Sequence, residues 1–323
     1  MAEELYPGLY RIQIPLPQSP LKFLNSYVIR DGARNLVIDT GLNCDVCKQA
    51  MLQGLAELGI ERDTVDLFVT HLHSDHFGLV PELAGENTRI YFNQPDGERL
   101  ENAEVLEHML RYGEKSGFPV AGLRRALEEH PGVKFGAGWL PALSILGDND
   151  RLSAGGYEFI CIQTPGHTRG HTCLYEPNRR IFIAGDHVLY DITPHIQCWE
   201  DNGNPLGDYL KSLDKVRGLD VDQALPGHRS LFTDFTGRID ALKCHHHQRL
   251  SEVEEILAHG PPLNGYQVAS KMTWDLSAKD WAAFPLMQKW FATGEAVAHL
   301  RYLEMDNRIR RASTAPVIAY EPA

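Results

Sequence analysis

His71, Leu72, His73, Ser74, Asp75 and His76 place three imidazoles and a carboxylate within six residues, directly after the strand-like run Val65 to Thr70. Any fold for this chain has to accommodate that stretch, and packing so many nitrogen and oxygen donors together is costly unless something positive sits among them. A strand continuing with period two would put His71, His73 and Asp75 on one side of the backbone, with His76 opening the next segment and facing elsewhere. One short turn would then serve two metal ions. A solvated polar loop is the plainer alternative and would suffice for a single histidine, but three histidines and an aspartate at this spacing point to metal.

Further donors follow at wide intervals. His167 lies in Thr164-Pro165-Gly166-His167-Thr168, Asp186 in Ile183-Ala184-Gly185-Asp186, and His228 in Leu225-Pro226-Gly227-His228. Each follows a turn residue, and two of them come soon after apolar runs of strand character, Phe159 to Ile162 and Ile181 to Ala184. The His-x-His-x-Asp-His cluster followed by a His, an Asp and a His resembles the pattern of the metallo-β-lactamase fold hydrolases, over roughly residues 5 to 240.

That resemblance implies that His71, His73 and His167 hold one ion and that Asp75, His76 and His228 hold a second, with Asp186 bridging them. It implies two divalent cations, zinc first, with iron or manganese also suited to an imidazole and carboxylate set. It matches Asp39, before Thr40-Gly41, to an acidic residue that supports the ligand loop by hydrogen bonds. Two such cations, about 3.5–4 Å apart, would activate a shared water as the nucleophile, so that no serine or cysteine nucleophile is required. Asp75 is the candidate catalytic residue, orienting that water or accepting its proton.

The chain has 323 residues, with 43 acidic against 31 basic side chains and a formal charge of −12. This balance favours a soluble protein and disfavours broad binding of polyanions. No signal peptide and no apolar run of spanning length are found, so no membrane partner is expected and a cytoplasmic location is the default expectation. Six cysteines do not make a dense disulfide scaffold, and the lone Cys44-Asp45-Val46-Cys47 is read as chance spacing at a helix start.

Strand-like pieces at Gly8 to Ile14, Asn25 to Arg30 and Leu36 to Asp39 precede a helical stretch, Asp45 to Gly59. Strands then alternate through Arg89 to Phe92, Phe159 to Thr164, Thr172 to Tyr175 and Arg180 to Ala184. The expected class is α/β with mixed sheets, and the resemblance implies a four-layered αββα sandwich spanning residues 1–240. A helix-rich insertion, residues 93–147 with helices at Glu98 to Tyr112 and Val120 to Glu129, is placed to cover the site or to pack as an ordinary helical pair. His171 is assigned a supporting role behind the ligands. His187 is expected to point away into the structure. Tyr190 and His195 are candidates for hydrogen bonding to substrate or leaving group, with loop packing as the equal alternative.

Residues 241–323 form a second, mostly helical unit: a helix from Ala241 to His259, a short one from Tyr266 to Met272, a longer one from Leu286 to Met305, and a hairpin in Asn307 to Tyr320. The adjacent His245, His246 and His247 point about 100° apart on a helix, so a solvated face is expected rather than a metal site. The order of elements resembles the winged-helix unit appended to several lactamase-fold hydrolases, including an endoribonuclease, which raises nucleic acid as a possible partner. Nine basic and nine acidic residues in this region argue against a phosphate-binding face. Packing on the catalytic domain or on a second subunit, as a homodimer, suits Trp274, Trp281 and Trp290 better. The expected activity is hydrolysis of a small acyl ester or thioester, with a phosphodiesterase or endoribonuclease acting on single-stranded RNA as the alternative.

Overall fold

A computed structural model describes residues 1–100, 104–119, 121–124, 142–275 and 280–323. The helix expected over Val120 to Glu129 therefore lies mostly outside the described residues. The first sheet runs β1 (Ala2–Tyr6), β2 (Leu9–Pro15), β3 (Phe23–Ile29), β4 (Asn35–Ile38), β5 (Val65–Phe68), β6 (Ile90–Phe92) and β7 (Leu143–Ile145), paired in chain order. It is antiparallel through β4 and parallel from β4 to β7. The second sheet contains β8 (Arg151–Ala154), β9 (Tyr157–Gln163), β10 (Thr172–Glu176), β11 (Ile181–Gly185) and β12 (Gln223–Pro226), in the order β12-β11-β10-β9-β8.

Burial explains why the two sheets stack. Tyr27, Ile29, Ile38 and Phe68 of the first sheet meet Phe159, Cys161, Leu174 and Ile183 of the second in one apolar cluster. Side chains alternate across each strand, so the same strands feed an outer layer. Ile12, Val28, Val37 and Leu67 pack against Met51 and Leu55 of α1 (Asp45–Glu57). Cys173, Phe182 and Ala224 pack against Leu210 and Leu213 of α6 (Pro205–Arg217) and Ile239 and Leu242 of α7 (Phe235–Ala258). The result is the expected αββα sandwich, in which each fully buried Leu, Ile or Phe contributes roughly 1.5–3 kcal/mol. Between α1 and α6 lie α2 (Ser74–Phe77), α3 (Val80–Leu83), α4 (Gln94–Leu100) and α5 (Val105–Lys115), and part of the helix expected over Glu98 to Tyr112 lies outside the described residues.

The C-terminal elements are β13 (Leu263–Asn264), α8 (Gly265–Ala269), α9 (Leu286–Met305), β14 (Ile309–Ser313) and β15 (Ala319–Pro322), with sheet order β13-β15-β14. Helix α7 spans residue 240. Its start is fixed at Asp234, whose carboxylate accepts the Gly237 N–H as a helix cap. His246 is not part of a solvated face. Helices α6 and α9 pack on α7, so one of three successive histidines has to face inward, and His246 is buried with Nδ1 3.3 Å from His299 Nε2.

Cys44 and Cys47 stand at the start of α1 with their sulfurs 3.3 Å apart. Burial pushes the Cys47 thiol up to about 12, and it donates to the Pro15 carbonyl. No helix among the described residues is long and apolar enough to cross a membrane.

Candidate metal centre

The expected ligands sit in loops that follow strand ends at one edge of both sheets. His71, His73, Asp75 and His76 come after β5, His167 after β9, Asp186 after β11 and His228 after β12. The two sheets are tied together there. Asn25 N–H donates to the Gly227 carbonyl at 2.7 Å, the Tyr27 hydroxyl donates to the Pro226 carbonyl at 2.7 Å, and Thr172 N–H donates to the Thr70 carbonyl at 2.9 Å.

The first cluster does not continue the strand. Regular pairing stops because the backbone donors turn to side chains: Thr70 N–H donates to Asp39 Oδ1 at 2.8 Å, and Leu72 N–H donates to Asp96 Oδ2 at 3.0 Å. His73 then stands at the head of α2, which carries Asp75 and His76, so the period-two expectation gives way to a helical turn.

All seven side chains converge. His73 Nδ1 is 3.0 Å from both His71 Nε2 and His167 Nε2. His228 Nε2 is 3.3 Å from His76 Nε2 and 3.3 Å from Asp75 Oδ2. Asp186 lies between the groups, with Oδ2 3.7 Å from His167 Nε2 and 3.5 Å from His228 Nε2, and Oδ1 3.6 Å from His76 Nε2. The sets His71, His73, His167 and Asp75, His76, His228 each bring their donor atoms within 4.8 Å of one another, as a metal ion requires.

The hydrogen bonds behind the rings set which nitrogen faces inward. Asp39 is acceptor-only, so the Thr70 hydroxyl donates to it and accepts from His71 Nδ1–H at 3.0 Å. His76 Nδ1–H donates to Asp39 Oδ2 at 2.8 Å, His167 Nδ1–H to the His195 carbonyl at 2.8 Å, and His228 Nδ1–H to the Phe23 carbonyl at 3.0 Å. Each of these four imidazoles therefore turns Nε2 toward the common centre, the nitrogen that would face a bound metal. His171 differs. Its Nε2 accepts the Asp186 N–H at 3.0 Å and its Nδ1–H donates to the Thr164 hydroxyl, so it holds the Asp186 backbone and has no lone pair left for an ion.

Electrostatics divides the site. Burial, followed by repulsion from neighbouring imidazoles, holds His71 well below the usual histidine range and His73 down to about 3. Burial also lowers His167, although Asp186 opposes it. On the other side, burial works against the charge on His76, but Asp39, Asp186 and Asp75 overcome it and raise that group; Asp186 and Asp75 do the same for His228. Burial would raise Asp75, yet His76 and His228 hold it below the carboxylate range.

A cation fits this donor set on two observations. Asp186 Oδ1 is buried without a hydrogen-bond partner among the described residues. Gly227 leaves no room for a side chain beside it, because a Cβ there would meet Asp186 Oδ1 at 2.7 Å and His76 Cε1 at 2.9 Å.

Tyr190 is exposed and stacks on Phe232, with ring centroids 5.5 Å apart. His195 turns its ring to the Phe291 carbonyl, 3.0 Å away, and approaches the site through its own carbonyl at His167. His187 is fully buried against Tyr209.

One supporting residue escaped the sequence reading. Asp96, buried at the start of α4, accepts from Leu72 N–H at 3.0 Å, the Thr168 hydroxyl at 2.7 Å and Gly170 N–H at 3.0 Å. It thereby clamps the His71–His73 loop to the His167 loop. Its only local sign is the turn-forming stretch Asn93-Gln94-Pro95-Asp96 after β6.

A two-sheet sandwich with clustered histidines and aspartates at one edge is the architecture of a metal-dependent hydrolase. The sequence matches the metallo-beta-lactamase superfamily over residues 20–228 and the metallo-beta-lactamase-like C-terminal domain over residues 282–323, and the chain belongs to that superfamily. It is similar to a Beta-lactamase-like protein 2 homolog of Drosophila melanogaster, 25% identical over 76% of this chain and 71% of that one. It is 27% identical to the human protein named acyl-coenzyme A thioesterase MBLAC2, over 71% of this chain and 81% of that one. A crystal structure of a metallo-beta-lactamase family protein from Thermus thermophilus superposes with a TM-score of 0.83, at 27% identity, covering 99% of this chain and 100% of that one.

Proposed function

We propose that the protein is a dinuclear metal-dependent hydrolase of small acyl esters and thioesters, with thioesters its preferred class. The observation that carries the two-ion reading is the position of Asp186 Oδ2, within 3.7 Å of His167 Nε2 and 3.5 Å of His228 Nε2, as a ligand shared by two sites would be. In this reading His71, His73 and His167 hold one ion, zinc in preference to iron or manganese, Asp75, His76 and His228 hold the other, and Asp186 serves both. When bound, such ions supply an activated water at neutral pH and a Lewis acid for the substrate carbonyl.

The side chains do the rest. Asp75, kept ionised by His76 and His228 and still one-fifth exposed, is the group able to orient a water or take its proton. Asp39, Thr70, Asp96 and the carbonyls of Phe23 and His195 hold the imidazoles in register. Full burial of His71, His76 and His228 keeps bulk water off the rear of the site.

An acyl substrate is supported by the acidic character of the chain, by the even charge balance of residues 241–323, and by the thioesterase named among its relatives. The order helix, strand, helix, helix and two strands, with the three strands in one sheet, supports a winged-helix reading of this unit, which in this proposal contributes a wall of the substrate pocket.

The test is elemental analysis of purified protein, with one sample assayed against an acyl thioester, a lactone, bis(p-nitrophenyl) phosphate and single-stranded RNA. Near two ions per chain and selective thioester cleavage, lost on chelation and restored by metal, are expected. RNA cleavage without thioester turnover would reverse the substrate choice, and full activity without metal would end the reading.

A further inference from the structure

A cavity of about 390 Å³ lies between α5 and the loop that leads from Asp186 to α6. His108, Arg111 and Lys115 line one wall, at the i, i+3 and i+7 positions that share a helix face. None of the three makes an ion pair or a side-chain hydrogen bond among the described residues. The opposite wall carries Glu200 and Asp201, and both are already neutralised: Glu200 by Arg169, Asp201 by Arg311 at 2.8 Å. Of the two acids on α5, Glu107 is paired with Arg124, and Glu114 makes no side-chain ion pair among the described residues. In a chain of net charge −12, this cavity therefore has three bases that form no close ion pair among the described residues, although Lys115 lies near enough to Asp201 and Arg111 to Glu107 to feel their charge.

Its walls are fixed in place. Tyr112 is buried between the bases and donates its hydroxyl to Asp201 at 3.2 Å. Gly113 lies flat on Trp290, where a Cβ would meet the ring at 2.5 Å, and Trp290 stacks on Trp199 with ring centroids 3.7 Å apart. The same loop that forms the acidic wall receives the His167 imidazole at the His195 carbonyl, and Arg169, two residues beyond His167, reaches Glu200. The cavity is thus coupled to the metal centre through one loop and one short turn.

We propose that this cavity binds the phosphates of the nucleotide carrier of a thioester substrate, of the coenzyme A type. The proposal rests on the thioesterase reading above. In such a substrate a long flexible arm separates the thioester sulfur from its phosphates, so an anion site has to lie off the metal centre, and unpaired Arg and Lys side chains are the groups that hold phosphate.

The test uses the full, metal-loaded chain and two measurements. Binding of desulfo-coenzyme A, which lacks the sulfur that could ligate metal, is followed by calorimetry at low and high salt. The exposed double variant R111S/K115S is expected to bind about tenfold more weakly, and salt is expected to weaken the wild type more than the variant. In parallel, kcat/KM is measured for an acyl-coenzyme A and for the same acyl group on N-acetylcysteamine, and the ratio of the two is expected to fall about tenfold in the variant. No binding by the wild type, equal binding by both proteins, or an unmoved ratio overturns the site. Cleavage of the N-acetylcysteamine thioester without preference for the coenzyme A form removes the anion site and leaves the thioesterase standing. Binding of desulfo-coenzyme A without cleavage of either thioester does the reverse.

Discussion

Two groups of buried histidines occupy the described residues, and only one of them converges with carboxylates in a way that could hold a metal ion. At the sheet edge, His71, His76, His167 and His228 each give Nδ1–H to a protein acceptor and turn Nε2 inward, where Asp75 and Asp186 join them. Between α7 and α9, His246 and His299 are as deeply buried, but His246 Nδ1 and His299 Nε2 face each other, His299 Nδ1–H donates to the Glu295 carbonyl, and His246 Nε2 has no partner among the described residues. No carboxylate converges there among the described residues, and burial, with smaller contributions from His245 and Arg249, depresses both groups. Burial and residue type are shared. What separates ligand from core is an acceptor behind each ring together with negative charge in front of it.

The largest expected effect follows from removing one member of each group. His71→Ala should lower kcat/KM by about 10³-fold or more, as loss of several kcal/mol of metal-supplied stabilisation implies, and elemental analysis should find less than the full metal complement in a chain that is still folded by circular dichroism. His246→Ala should retain the wild-type metal content and lose about 2 kcal/mol of stability to urea. Metal loss from the His246 variant would break the comparison.

Asp96 provides a sharper and smaller test, because it touches no imidazole. As Asp96→Asn, the side chain presents an amide to three donors that now find a carboxylate, so the two ligand loops are no longer held together. Metal affinity measured by chelator competition should fall about 10–100-fold, the range for groups that support ligands from behind. Unchanged affinity would show that the loops hold their register without the clamp.

The convergence of these side chains was readable because their chemistry is compressed into short motifs, and because His71 to His76 alone contain four donors. The sandwich was readable from alternation in strands such as Leu9–Pro15 and from fully apolar runs such as Ile181–Gly185. Asp96 was not, since its three partners lie 24, 72 and 74 residues away and an isolated aspartate carries no mark of them. The inward turn of His246 was equally hidden. It depends on α6 and α9 flanking α7, which a run of three histidines on one helix does not announce.

The smallest effect concerns pH and the core pair. Burial, with smaller contributions from nearby positive groups, holds native His299 down to about 3 and His246 well below its usual range. An unfolded histidine takes up a proton near pH 6.5. The unfolded chain therefore binds more protons than the native one between these limits, so the stability contributed by keeping the pair neutral is fully present above pH 6.5 and drains away as pH falls toward 3. Replacing His299 by the uncharged, similarly sized Gln should remove about 1 kcal/mol per pH unit from the slope of urea stability between pH 6 and 5. The metal-loaded protein is the one to measure, so that the sheet-edge histidines stay deprotonated in both chains and the difference reports the core pair alone. An unaltered slope would mean that His299 is protonated in the native state, and the two histidine groups would then differ less than their surroundings indicate.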